Sequence, residues 1–187
     1  HASYLAKNLE VLSKGFVSLD ASRPWIIYWI VHASYLLSSE SDIAHLYPRI
    51  ISTLSKFQNV TGGFGGGPDQ ISHGAPSYGA VMALCTIGSE EAYQLINRGQ
   101  IYQYYMSMKH PSGGFCMHED GEVDTRSTYT ALAVARILNI LTEELTAGVA
   151  EYLVKCQTYE GGFGGEWCNE AHGGYNFCAL ASLHILG

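Results

Sequence analysis

Residues 161–179 read GGFGGEWCNEAHGGYNFCA, and the same pattern occurs twice more: GGFGGGPDQISHGAPSYGA over 62–80 and GGFCMHEDGEVDTRSTYTA over 113–131. Each copy opens on a glycine turn: Gly62-Gly63-Phe64, Gly113-Gly114-Phe115 or Gly161-Gly162-Phe163. Nine residues after the phenylalanine stands His73, Asp124 or His172. Fourteen residues after it stands an aromatic, Tyr78, Tyr129 or Phe177, and two further on an alanine, Ala80, Ala131 or Ala179. The three phenylalanines lie 51 and 48 residues apart. Self-similarity at that period marks a repeat architecture, a solenoid or a closed ring of hairpins. A polar residue and an aromatic recurring at one depth send similar side chains from every repeat toward a common centre.

The segments between the turns read as paired helices. Ser22-Arg23-Pro24 before Trp25 offers an N-cap and an early proline, a helix start. Ser89 before Glu90 and Glu91, and Thr142 before Glu143 and Glu144, offer capping oxygens with first-turn acids that suit the helix dipole. Gly88 is placed to end the preceding helix. The pattern predicts helices over 2–14, 23–38, 42–57, 76–87, 90–107, 124–139, 143–156 and 172–186. Those starting near Trp25, Pro76, Asp124 and His172 carry almost no charge after their first turn, whereas their neighbours carry residues such as Glu143, Glu144, Glu151 and Lys155. Buried helices alternating with half-exposed ones describe two concentric layers, an all-α, α/α toroid. The first repeat joins the scheme without a glycine turn, since Asp20 precedes Trp25 by five as His73 precedes Tyr78. About four helical hairpins follow, near 20–57, 62–107, 113–156 and 161–187, and would form an incomplete arc. The expectation is one partial α/α-barrel domain over 1–187, truncated at both ends.

Composition narrows the function. Hydrophobic residues make up 47% of the 187 and charged residues 14%, so much surface between repeats must be buried. A formal charge of −7 argues against nucleic acid, which needs clustered Lys and Arg. Apolar runs such as Trp25 to Val31 fall far short of the ~20 residues a membrane span requires. Five scattered cysteines (Cys85, Cys116, Cys156, Cys168, Cys178) show no disulfide-framework spacing and fit an intracellular protein with free thiols. Asn59-Val60-Thr61 then reads as an unmodified loop entry.

The aromatic layer Trp25, Tyr78, Tyr129 and Phe177 would be core packing if it stood alone. The polar residues beside it change that reading: His73, Glu122, Asp124, Arg126 and His172 all fall at or just before helix starts. A funnel walled with rings and rimmed by His, Arg and acids is a ligand site of mixed character. Helix N-termini attract anions, and His172-Gly173-Gly174 at such an end would offer an imidazole proton with close backbone approach. Aromatic walls suit a long apolar chain. An anionic head on an apolar tail describes an isoprenoid diphosphate.

Four segments carry a family resemblance: residues 19–25 (LDASRPW), 62–68 (GGFGGGP), 121–127 (GEVDTRS) and 170–175 (EAHGGY). In this order they resemble the β subunits of the protein farnesyltransferase family, over the amino-terminal and middle part of that six-hairpin barrel. The resemblance implies transfer of a C15 farnesyl group from farnesyl diphosphate to the cysteine thiol of a C-terminal CaaX motif, in a cytoplasmic heterodimer with a helical α subunit. It implies that His172 stabilises the leaving diphosphate, and that Trp25, Tyr78, Arg126, Tyr129, Gly174, Tyr175 and Cys178 line the isoprenoid channel. Trp25 and Trp29 would form the pocket for an aliphatic CaaX residue, being four apart on one helix face. His73, Glu122 and Arg126 would hold the peptide carboxylate through a water. A tryptophan at Trp25 would close the channel floor at fifteen carbons. Zinc is implied as cofactor, with magnesium as a second ion. The zinc ligands, an Asp-x-Cys pair and a later histidine, are expected outside these residues, so this stretch alone should supply half a site and no catalysis. Within it the nearest metal-like spacing, Cys168-x3-His172, is a lone pair, and structural or catalytic zinc needs three or four protein ligands. Three alternatives stay open at this point: a geranylgeranyltransferase type I β subunit, a triterpene-cyclase-like toroid, and a non-catalytic repeat scaffold.

Overall fold

The glycine turns organise the backbone in the computed structural model, which describes residues 1–187. In each turn the first glycine has a left-handed φ (+84°, +101° and +92° at Gly62, Gly113 and Gly161), a conformation glycine adopts without penalty. The following phenylalanine is buried and makes an isolated antiparallel bridge with a residue just before the turn: Gln58 with Phe64, Lys109 with Phe115, Gln157 with Phe163. One further bond recurs in all three, from the amide after the phenylalanine to a carbonyl eight residues upstream: Gly65 to Phe57 (2.8 Å), Cys116 to Met108 (2.8 Å), Gly164 to Cys156 (2.9 Å).

The chain divides into two compact units, His1–Asn97 and Arg98–Gly187. The first contains α1 (Ala2–Glu10), α2 (Arg23–Leu36), α3 (Tyr47–Ser55), α4 (Gly74–Ile87) and α5 (Glu90–Leu95). Here α2 and α4 pack along each other as the main helix pair. Small residues permit it: a β-carbon at Gly79 would stand 3.1 Å from the backbone nitrogen of Trp25. Helix α4 is buried nearly all round from Gly74 to Leu84, while α3 buries one face through Ile50 and Leu54. The second unit contains α6 (Arg98–Ser107), α7 (Thr125–Ile137), α8 (Glu143–Thr146), α9 (Val149–Lys155) and α10 (Gly173–Leu186). Its main pair is α7 with α10, with Thr125 to Ala135 almost wholly buried on α7. No residue forms an extended strand, and the chain has the α/α toroid type of fold that the repeat predicts.

Two of the three turns also complete the start of a neighbouring helix. The carbonyl of Gly66 accepts the amide of Arg23, the first residue of α2, at 3.3 Å, and that of Gly165 accepts the amide of Thr125, the first residue of α7, at 3.0 Å. These are amides with no partner inside their own helices.

Ser89 and Thr142 cap α5 and α8 as the sequence suggests, accepting from Ala92 and Leu145, and Gly88 ends α4 at φ +70°. Four helix predictions need correction. The helix expected over 2–14 stops at Glu10, and Lys14–Ser22 winds as 3₁₀ helix with a kink at Leu19. Two 3₁₀ turns, Glu40–Asp42 and Ala44–Leu46, replace the start of the 42–57 helix. The 90–107 helix breaks where Ile96 adopts an extended backbone. The 143–156 helix breaks at Gly148 (φ +73°), where the Gly113 turn packs so closely that a β-carbon on Gly113 would lie 2.0 Å from the Gly148 carbonyl oxygen. The first repeat also departs from the others. Ser22 makes no side-chain cap, and Asp20 lies within the 3₁₀ segment, bonded to Arg23. The Gly66 carbonyl takes that capping role instead.

Candidate functional site

Three long helices begin on the repeated polar position. His73 Nδ1 accepts the amide of Ala75 (3.1 Å) at α4, and His172 Nδ1 accepts the amide of Gly174 (3.0 Å) at α10. At α7 the Oδ1 of Asp124 accepts the amides of Arg126 (2.8 Å) and Ser127 (3.0 Å), and Ser127 Oγ accepts the Asp124 amide in return (3.0 Å), a capping box. A neutral imidazole whose Nδ1 accepts a hydrogen bond carries its proton on Nε2. The helix cap therefore makes His172 an Nε2–H donor.

In the second unit, the start of α10 and the loop before it border an open cavity of about 800 Å³, lined by Arg126, Asn169, Glu170, His172, Gly174, Tyr175, Phe177 and Cys178. The His172 and Tyr175 rings meet edge to face with centroids 5.6 Å apart. The Arg126 guanidinium carbon stands 5.8 Å from the Tyr175 ring centroid, in cation–π range. Beside them Tyr129 and Phe177 pack edge to face at 5.1 Å. The cavity thus has a polar rim of His and Arg above apolar and aromatic walls.

The electrostatics are dominated by one carboxylate. Asp124 is 4% exposed, and its Oδ2 accepts both Arg126 Nε (2.9 Å) and Nη2 (2.5 Å). That bond raises the guanidinium pKa above its ordinary value against the opposing effect of burial, and the charges of Asp124, Tyr175 and Glu122 raise it further. Glu122 lies 3.6 Å from Arg126 Nη2 and 3.8 Å from His118 Nε2, on a more exposed surface. Burial, with the Asp124 charge adding and Arg126 opposing, pushes the Cys178 thiol up to about 11. Cys178 is therefore a neutral wall residue at ordinary pH, with no thiolate to act as nucleophile.

The first unit holds the other aromatic residues singled out from the sequence. Trp25 stands 5.3 Å from Tyr78, 5.7 Å from Trp29 and 6.1 Å from Tyr28. Tyr28 meets Tyr78 edge to face at 6.2 Å and stacks on His32 at 5.3 Å. Trp25 and Trp29 share one face of α2, and Trp29 is exposed. A second cavity in this unit, about 380 Å³, lies among Ile26, Ile30, Ile50 and Phe57 with Arg23, Arg49 and Lys56. It contains none of the residues that the sequence points to.

Of the residues singled out from the sequence, Arg126, His172, Gly174, Tyr175 and Cys178 come together in one cavity, and Tyr129 packs on its Phe177. Trp25, Trp29 and Tyr78 form a cluster in the first unit. Glu122 and Arg126 are neighbours, while His73 belongs to the first unit as the cap of α4. Phe177, read in the sequence as part of the aromatic layer, lines the cavity, while Asp124, read among the polar residues beside that layer, does not line it and holds Arg126 instead. The i, i+2 spacing of Asp124 and Arg126 gives no sign of their bond, since residues two apart do not face each other along a helix. No three His, Cys, Asp or Glu side chains gather as a metal site, and Cys168 and His172 join no such group. The five cysteines are unpaired, and no helix is long and apolar enough to cross a membrane.

The family model of the prenyltransferase alpha-alpha toroid domain matches residues 1–187. The chain is 49% identical over 183 residues to the protein farnesyltransferase subunit beta of Arabidopsis thaliana, covering 98% of this chain and 38% of that protein. It is 40% identical over 189 residues to the Schizosaccharomyces pombe protein farnesyltransferase subunit beta, covering 100% of this chain and 49% of that one. Identity to the Arabidopsis thaliana geranylgeranyl transferase type-1 subunit beta is 32% over 210 residues, 100% of this chain and 56% of that protein. The chain therefore spans 38% to 56% of the length of these relatives. Among solved structures, Candida albicans protein geranylgeranyltransferase-I complexed with GGPP superposes with a TM-score of 0.82 at 20% identity, over 100% of this chain and 58% of that one. That likeness is one of fold.

Proposed function

Since the chain belongs to the prenyltransferase alpha-alpha toroid family, we propose that it is part of the β subunit of a protein farnesyltransferase. The reaction would move a C15 group from farnesyl diphosphate to the cysteine thiol of a CaaX-terminated protein. The C1–O bond to diphosphate breaks, a C1–S thioether forms, and the thiol proton leaves to solvent. The observation that carries this reading is the fixed Nε2–H donor of His172 on the rim of a cavity walled by Tyr175, Phe177 and Cys178. Such a donor meets the diphosphate oxygen where negative charge develops, and the walls suit the isoprenoid chain.

Arg126 would add a second set of donors on the same rim, and with Glu122 it would serve the carboxylate end of the peptide, the role that the family resemblance also implies for His73. Tyr129 and Tyr78 would extend the aromatic wall. Trp25 and Trp29 would receive the aliphatic CaaX residue, with Trp25 limiting the chain to fifteen carbons. These residues bind and orient, and they offer no metal site of their own. The zinc of this reading has its ligands elsewhere, and magnesium is likewise unassigned. A helical α subunit and a cytoplasmic setting complete the proposal. The higher identity to farnesyltransferase than to geranylgeranyltransferase β subunits, 49% against 32%, favours the C15 donor.

The test is transfer by the full-length subunit assembled with its α subunit, offered farnesyl and geranylgeranyl diphosphate with one CaaX peptide. Farnesylation of the peptide cysteine at the higher kcat/KM supports the reading. Preference for the C20 donor, or no transfer with either, overturns it.

A further inference from the structure

The capping position does two jobs in the second unit. At α10, His172 caps with Nδ1 and has Nε2–H left on the cavity rim. At α7 the same repeat position is Asp124, whose Oδ1 caps the helix while Oδ2 holds the guanidinium of Arg126, itself a cavity-lining residue. In both, one heteroatom satisfies the helix start and the other bears on the site.

Arg126 needs that hold. It is the second residue of α7, where the positive end of the helix dipole repels a cation. Its other acidic neighbour, Glu122, is half-exposed at 3.6 Å and well screened, whereas the Asp124 side chain is 5% exposed. Nε and Nη2 are both taken by Asp124, so Nη1 is the guanidinium nitrogen that this carboxylate does not engage.

Resting on the reading of Arg126 as a ligand-binding residue, we propose that Asp124 is a positioning residue: its Oδ2 fixes the guanidinium against Tyr175 so that Nη1 is presented to an oxygen of the bound substrate. Released from Oδ2, the arginine would turn toward solvent and the cavity would lose its oriented donor, with α7 still capped. Asp124 thus sets substrate affinity at one remove.

The experiment is a double-mutant cycle on the assembled enzyme, reading Kd for farnesyl diphosphate and KM for a CaaX peptide. Asp124→Asn keeps an oxygen for the cap but turns a donor toward Arg126, and Asp124→Ser keeps a capping hydroxyl too short to reach the guanidinium. Arg126→Gln should weaken one of the two ligands about tenfold. Asp124→Asn and Asp124→Ser should weaken that same ligand by a similar factor, and adding Arg126→Gln to either should bring no further loss. A cap defect alone would lower the Tm of the two Asp124 variants and add to the arginine effect. Wild-type affinity in both Asp124 variants, or full additivity with Arg126→Gln, would overturn the proposal while leaving the site reading intact. Unchanged affinity for both ligands in Arg126→Gln would sink the proposal together with the role given to Arg126.

Discussion

His172 Nδ1 accepts the amide of Gly174 at 3.0 Å, and this single bond decides which ring nitrogen bears the proton. A side chain that serves as both helix cap and ligand donor can be dissected by substitutions that keep one function. His172→Asn retains an acceptor for the cap but lacks the reach of Nε2–H. Its melting temperature should stay near wild type while affinity for farnesyl diphosphate falls at least tenfold. His172→Ala should show the same affinity loss plus about 1 kcal/mol of lost stability from the missing cap. Titration calorimetry paired with thermal denaturation checks both, and unchanged affinity in both variants would remove His172 from the ligand site.

Trp25 packs 5.3 Å from Tyr78 and 6.1 Å from Tyr28. Trp25→Ala should open space beside those rings and raise use of geranylgeranyl diphosphate relative to farnesyl diphosphate. Mass spectrometry of the prenylated peptide in a mixed-donor assay gives the ratio. An unchanged ratio would place the length limit elsewhere.

The Cys178 thiol, pushed up to about 11 mainly by burial, should resist iodoacetamide through pH 9 and react as the pH approaches 11. The sign for stability follows. With the folded pKa above the unfolded one, the folded state binds more protons between about 9 and 11, so this residue contributes a loss of stability as pH rises through that window. Because the Asp124 charge adds to the shift, Asp124→Asn should lower the pH at which Cys178 becomes alkylated. Peptide-resolved mass spectrometry across pH distinguishes Cys178 from the exposed Cys168.

Two glycines give opposite expectations. Gly113 combines φ +101° with a β-carbon position 2.0 Å from the Gly148 oxygen, so Gly113→Ala should cost about 3 kcal/mol or more. Gly173, the first residue of α10, has nothing within 4 Å of its β-carbon position. Gly173→Ala should be neutral or stabilising by about 0.5 kcal/mol. Chemical denaturation midpoints of the two variants test the pair, and similar losses in both would contradict the close packing of Gly113 on Gly148.

What could be read from the sequence was whatever single residues dictate locally. The glycine turns were legible because left-handed backbone and a buried phenylalanine demand specific residue types at fixed spacing, and Ser89, Thr142 and Gly88 mark helix ends by their own chemistry. The breaks at Ile96 and Gly148 were not, since Ile96 carries no breaker chemistry and Gly148 meets the Gly113 turn from 35 residues away in sequence. Ile96 suits a helix, and Gly148 is explained only by the Gly113 turn packed against it. The 3₁₀ winding of Lys14–Ser22 carries no compositional mark, and its consequence for Asp20 was hidden with it. In the site, His172 and Arg126 were legible as residue types at helix starts. The hold of Asp124 on Arg126 was not, since it depends on a side chain folding back onto the cap of its own helix.

The bonds from Gly66 to Arg23 and from Gly165 to Thr125 change what counts as a module. A segment excised from one glycine turn to the next would carry α2 or α7 without the carbonyl that receives its first amide. The smallest transplantable piece is therefore a helix together with the turn that follows it in sequence. Chimaeras joined just after Gly66 or Gly165 should keep both halves of that bond, whereas chimaeras joined anywhere between the helix start and that glycine would separate them.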